Sequence, residues 1–148
     1  MSDAMTNYLE NVLINHVIRN TAYTTPGTSI YVGLIGYYES GGTNGGETGK
    51  TASKEKSGGS YARVQVTAWT SPIDVGTSGS ITNTAAITFP TATGDWGHVS
   101  GVFIADHATA GNMLLHGSLT SPREVKSGDV FKFNGPILKK FVADSRTP

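Results

Sequence analysis

Residues 94–107 read GDWGHVSGVFIADH, and they form an active site, a metal site, or the polar rim of a β-sheet in which a core strand runs between two turns. Which of the three holds decides the fold class. The middle of the stretch, His98–Ala105, carries Val99, Val102, Phe103 and Ile104 and reads as a core strand. Before it, Asp95-Trp96-Gly97 reads as a turn: the aspartate accepts local backbone hydrogen bonds, glycine takes the strained conformation, and Trp96 packs over the sheet end. After it, residues 106–112 read as a hairpin loop in which Gly111 and Asn112 supply the turn geometry. The polar residues are then turn makers. A tryptophan exposed beside Asp95 and His98 would instead stack on a sugar ring, so these three are candidate surface-recognition residues.

Working outward, the same grammar recurs. Short runs rich in Val, Ile, Thr and aromatics are separated by Gly, Asn, Asp, Ser and Pro at 29–37, 60–69, 79–83, 86–89, 98–105, 112–118, 130–133 and 137–142. In 61–67, YARVQVT, alternation turns Val64, Val66 and then Ala68 inward, and Phe131 and Phe133 flank an outward Lys132. About eight short strands predict a mainly β fold, an antiparallel β-sandwich of jelly-roll type. One segment differs. Residues 7–20, NYLENVLINHVIRN, have helical spacing, with Thr6 or Asn7 as N-cap and Glu10 completing a capping box from Asn7. Its apolar face, built from Leu9, Val12, Leu13, Ile14, Val17 and Ile18, is wider than one sheet requires. Residues 40–60 carry no apolar side chain larger than Ala52 and read as a long Gly/Ser-rich loop, flexible or ordered by a partner. The whole chain, 1–148, is expected to be a single domain, with the helix at 7–20 and the sandwich over 29–142.

Composition narrows the function. Lys plus Arg and Asp plus Glu number 11 each, so there is no electrostatic footprint for nucleic acid or an anionic membrane, and neither is expected as a partner. Cysteine is absent, which removes disulfides, thiolate metal sites and cysteine nucleophiles. NGGETGKT at 44–51 imitates a phosphate-binding loop, but Asn44 stands where glycine is required and no helix pattern follows. His16, His98, His107 and His116 lack the spacing that puts two imidazoles on one face, and His98 and Asp106 lie about 25 Å apart along an extended strand. There is no G-x-S-x-G elbow, and carboxylate pairs drawn from Asp95, Asp106, Glu124 and Asp129 are no more than any β protein offers. No catalytic residue, metal site or cofactor is expected.

Several stretches together carry a resemblance: NYLENVLINHVIRNTAYTTP, IYVGLIG, GGSYARVQVT, ITNTAAITFPTATGDWGHVSGVFIAD and GNMLLHGSLTSPREVKSGDVFKFN. With these the chain resembles short phage virion proteins labelled "phage tail fibre protein". The resemblance implies a structural component of a bacteriophage particle, with no catalytic residues to carry over. A long fibre would need coiled-coil, β-helix or collagen-like repeats, none of which is present; a compact chain of this length has a radius of gyration of roughly 15 Å. The leading expectation is therefore a capsid decoration, or cement, protein that binds the major capsid protein and stabilises the head. Proteins of that kind often sit at symmetry axes as trimers, so a homotrimer is expected. The alternative is a tail-fibre or tail-tip component, bound to other tail proteins and touching a host-surface glycan. Candidate interface residues are Leu9, Val12, Leu13, Ile14, Val17 and Ile18 on the helix, with Tyr37 and Tyr38 beside the Gly-rich loop.

Overall fold

A computed structural model describes residues 4–23, 30–38, 55–70, 73–74, 79–80 and 82–135. The fold is mainly β and antiparallel, with one helix. In chain order the elements are β1 (Ala4–Met5), α1 (Asn7–Arg19), β2 (Ile30–Ile35), β3 (Val64–Val66), β4 (Ile73–Asp74), β5 (Gly79–Ser80), β6 (Ile87–Thr88), β7 (Gly97–Ala105), β8 (Met113–Val125) and β9 (Lys132–Phe133). A five-stranded sheet runs in the order β1-β8-β7-β2-β3, and β4 pairs with β5 and β6 with β9.

The GDWGHVSGVFIADH stretch is the strand between two turns. Gly97 has φ 70°, and the Asp95 carboxylate accepts from the Ser127 amide at 2.8 Å, so the aspartate ties its turn to the one that follows β8. At the other end Gly111 has φ 79°, and Asp106 accepts from the backbone and side-chain nitrogens of Asn112 at 2.6 and 3.1 Å. His107 Nδ1 accepts from the amides of Thr109 and Ala110, both at 3.2 Å. The bonds within 106–112 satisfy backbone donors that a bare loop would leave to water, whereas Asp95, expected to bond its own turn, bonds a distant one.

The main core lies on one face of the five-stranded sheet. Val32, Leu34, Val66, Val99, Ile104 and Leu114 pack there with Ile87, Phe89, Phe131, Ala92 and Trp96 from the segments around β6 and β9. Phe89, Phe131 and Phe133 meet edge-to-face, with centroids 5.3 to 6.3 Å apart. The opposite face of the sheet is covered as well. Ile35, Phe103, Ala105 and Met113 form a second cluster there, with Tyr38 packed against it. Gly33 and Gly101 permit this: a Cβ at Gly33 would collide with the Phe103 ring, and one at Gly101 would lie 2.8 Å from the ring of Tyr38.

Several boundaries differ from the sequence reading. The 60–69 run contains only β3, because Gly58, Gly59 and Ser60 all have positive φ and form a turn, and Trp69 makes an isolated bridge to Asn83. Ala68, expected inward, is exposed. β8 runs past Ser118 to Val125 and includes Pro122. Its register steps from Gly101↔Ser118 to Val99↔Arg123, so Leu119–Pro122 stand opposite Ser100 alone, a bulge in which the missing proline N–H breaks no ladder bond. The far end of the 40–60 segment is not loose. Glu55 bridges Ile35, the Lys56 amide donates to Leu34 O at 3.0 Å, and Gly59 O accepts from the Thr93 amide and the Trp96 indole. Apolar content was the wrong criterion for these residues, whose anchors are polar. The expected strand at 137–142, and residues 40–54 with the NGGETGKT motif, lie outside the described residues.

Candidate functional site

α1 begins where Thr6, fully buried, uses one hydroxyl twice: it donates to Met113 O at 2.7 Å and accepts from the Leu9 amide at 3.3 Å. Thr6 is therefore the N-cap, and the Thr6 amide also donates to Leu114 O, which seats the helix start against β8. At the other end Asn20 takes the left-handed conformation at φ 51°, and His16 Nδ1 lies 3.2 Å from Thr21 O. The helix is thus well defined, yet no residue of it is buried.

Its two sides differ. Tyr8 and Leu9 pack against the main core, and Val12 and Asn15 are half-buried. On the opposite side Leu13, Ile14, Val17 and Ile18 are 37%, 58%, 72% and 76% exposed. Side chains spaced i, i+1, i+4 and i+5 share one face, so the four make a continuous apolar stripe. Isolated exposed aliphatics need no explanation, but a contiguous stripe marks a contact surface. Of the six helix residues singled out from sequence, Leu9 and Val12 face the body and the other four face outward.

The tyrosine pair also divides. Tyr37 is 65% exposed. Tyr38 is drawn inward: its amide donates to Ser100 Oγ at 2.7 Å, and its hydroxyl lies 2.9 Å from His116 Nδ1 on β8. In the candidate recognition trio, Trp96 is 4% exposed, its Nε1 donates to Gly59 O at 2.9 Å, and its ring meets Tyr61 edge-on. A tryptophan so enclosed offers no stacking surface to a ligand. Asp95 is exposed but holds the Ser127 amide, and His98 is exposed opposite Glu124 in the β7–β8 register. The three do not form one surface site.

Sequence reasoning missed the polar centre on the second face of the sheet. Arg63, with its side chain 2% exposed, binds Glu55 through Nε and Nη2 at 2.8 and 2.7 Å. Its Nη1 donates to His107 O and Ala110 O at 2.6 and 2.8 Å, and the guanidinium lies 5.0 Å from the Phe103 ring centroid. One arginine thus fastens the 106–112 loop to the edge of the sheet. Tyr61 joins the cluster, donating to Glu55 at 3.1 Å and accepting from the Leu34 amide at 2.8 Å. Burial, aided by the Glu55 charge, pushes its hydroxyl well above the ordinary tyrosine range. The available signal was Gly33 and Gly101 within strand patterns, since glycine in a strand marks close approach from a neighbour.

Among the described residues no three His, Asp or Glu side chains gather to hold a metal ion. No described helix is long and apolar enough to cross a membrane. No curated protein matches the sequence. A family model does match, over residues 4–139, and these span α1, the five-stranded sheet, the Arg63 centre and both turns of the opening stretch. The chain belongs to that family, described as podophage GP4 fiber I protein gp80, a fibre-type family of phage virion proteins.

Proposed function

We propose that this protein is a structural, non-catalytic subunit of the phage fibre apparatus that joins copies of itself, as a homotrimer, through the outward stripe of α1. The observation that carries the reading is that stripe. Leu13, Ile14, Val17 and Ile18 lie on a helix whose other side is already seated on the body, so the fold does not need them for itself. Covering an exposed Val, Leu or Ile side chain is worth about 1.5–3 kcal/mol when complete, enough for four of them to drive association if a partner supplies a matching surface. The family description favours the fibre; in this reading other tail proteins of the same phage are its neighbours and a host-surface glycan is its target. In this reading the body is a jelly-roll-like sandwich, supported by the core that the five-stranded sheet shares with β6, β9 and their flanks.

A second reading, capsid decoration, is favoured by a different observation. The chain carries no heptads or extended repeats, and its equal numbers of acidic and basic residues let many copies crowd on a shell without repulsion. Copy number separates the two. Quantitative mass spectrometry of purified particles, referenced to the major capsid protein, should return roughly 3 to 18 copies if the protein follows the tail's symmetry. A count on the order of hundreds would replace the fibre reading with the decoration reading.

A further inference from the structure

The bulge in β8 shapes a groove that neither the helix stripe nor the Arg63 centre uses. Leu119, Thr120 and Ser121, which leave the β7 ladder, form one wall, and residues 129–134 form the other, enclosing about 650 Å³. Bulges recur at places where a sheet re-aims side chains toward a ligand. The far wall is held firmly: β9 pairs with β6, and the Phe89 amide donates to Phe131 O at 2.9 Å. Val125 and Phe131 are buried beneath the groove, and Phe133 is half-buried at its side.

The rim is charged, and its charges are not equivalent. Asp129 is committed to its own turn, accepting from the Lys126 amide at 2.9 Å, and Glu124 lies 3.8 Å from the Lys126 ammonium. Arg123 and Lys132 have no ion pair or hydrogen bond from their side chains among the described residues. The rim's formal charges balance, two positive and two negative, and the two without a partner among the described residues are Arg123 and Lys132. Around them stand the Thr120 and Ser121 hydroxyls and the Asn134 amide, which both donate and accept.

A ligand that fits has a hydroxyl-bearing edge for the rim, an apolar C–H face for Phe133, and an anionic group for Arg123 and Lys132. We propose that this groove binds an anionic saccharide, one carrying carboxylate or phosphate. Nucleic acid shares the anionic group, but the groove has Glu124 and Asp129 on its rim and the chain has balanced charge, so it lacks the extended positive track that a polyanionic backbone requires. The proposal deepens the fibre reading by naming the class of target.

The test titrates full-length protein with tetragalacturonate, with phosphorylated mannopentaose, with neutral maltotetraose and with an oligothymidylate, following backbone amide resonances. Shifts should map to residues 119–124 and 130–134, with one or both acidic sugars bound at least about tenfold more tightly than maltotetraose. Which acidic sugar wins distinguishes carboxylate from phosphate as the recognised group. Arg123→Gln combined with Lys132→Gln should lower the affinity for acidic sugar by about tenfold or more, with the thermal midpoint unchanged. No shifts at these residues, equal binding of the neutral sugar, equal or tighter binding of oligothymidylate, or an unaffected double variant would each overturn the proposal. The assay uses free protein and the fibre reading is tested by copy number on particles, so either can fail without the other.

Discussion

If the outward stripe of α1 is an interface, replacing Ile14 and Ile18 with aspartate should weaken assembly while sparing the fold. The two side chains are 58% and 76% exposed, so most of what they can bury is still available for a partner. Scaling the full burial value of 1.5–3 kcal/mol by those fractions gives about 2–4 kcal/mol of association energy lost per copy. That corresponds to a loss of affinity of at least about thirtyfold per copy, before the cost of desolvating two carboxylates is added. The isolated subunit should hardly notice. Neither residue contributes to the buried core, and an acidic residue at position 18 conflicts with the helix C-terminus by only about 0.3–1 kcal/mol. Sedimentation velocity over a concentration series should show an oligomer for the parent and a monomer for the Ile14→Asp/Ile18→Asp protein. Urea unfolding of the variant should stay within about 1 kcal/mol of the parent monomer. A variant that assembles like the parent would refute the stripe as an interface. A variant that unfolds would instead mean that the stripe is needed by the fold.

Three further outcomes follow from the polar centre and the sheet. Arg63→Met should cost about 3–5 kcal/mol in urea unfolding, because it leaves Glu55 and the carbonyls of His107 and Ala110 without their buried donor. Glu55→Gln should cost less, and the double variant should cost less than the two singles combined by at least about 1 kcal/mol; strict additivity would deny that the pair acts as a unit. Tyr61, whose hydroxyl titrates above its unfolded value, contributes stability that is complete below about pH 10 and is lost as pH rises beyond it, since only the unfolded chain ionises readily there. Unfolding free energies measured from pH 8 to 11 should therefore fall at the alkaline end, and Tyr61→Phe should flatten the fall. Gly33→Ala should destabilise by about 1–3 kcal/mol through collision with Phe103, read as a lower urea midpoint with an unchanged slope.

Periodicity and turn chemistry made the β class legible in the sequence. The 94–107 stretch announces a strand between an Asp-Trp-Gly turn and a hairpin loop, and both turns form with their glycines at positive φ. Asp95, however, bonds the Ser127 amide thirty-two residues on and not its own turn, and Asp106 closes the second loop. The helix and its excess apolar face were equally legible, because i, i+4 spacing is a local property of the chain. Spacing left Thr6 and Asn7 both open as N-cap, and the structure selects Thr6, so the expected Asn7–Glu10 capping box does not cap the helix. The family resemblance rested on the same stretches.

What local reasoning could not supply was anything requiring two distant segments to meet. Burial of Trp96 depends on Gly59, thirty-seven residues away in sequence. Alternation with Val64 and Val66 turns Arg63 away from the main core, yet the second face of the sheet is covered too, and Glu55 and the 106–112 loop close over it. The division of the helix into a seated side and a free side was likewise undecidable from spacing alone, since both sides are apolar and only the packing of Tyr8 and Leu9 against the core selects between them. The bulge at Leu119–Pro122 has the same origin. Proline forbids a ladder bond locally, but only the register of β7 against β8 determines that four residues swing out and leave a groove beside Arg123. Sequence thus determined the β class, the helix and the turn positions of this protein, and tertiary structure decided the strand bounds and which faces stay exposed, because pairing and burial are properties of pairs of segments and not of either one alone.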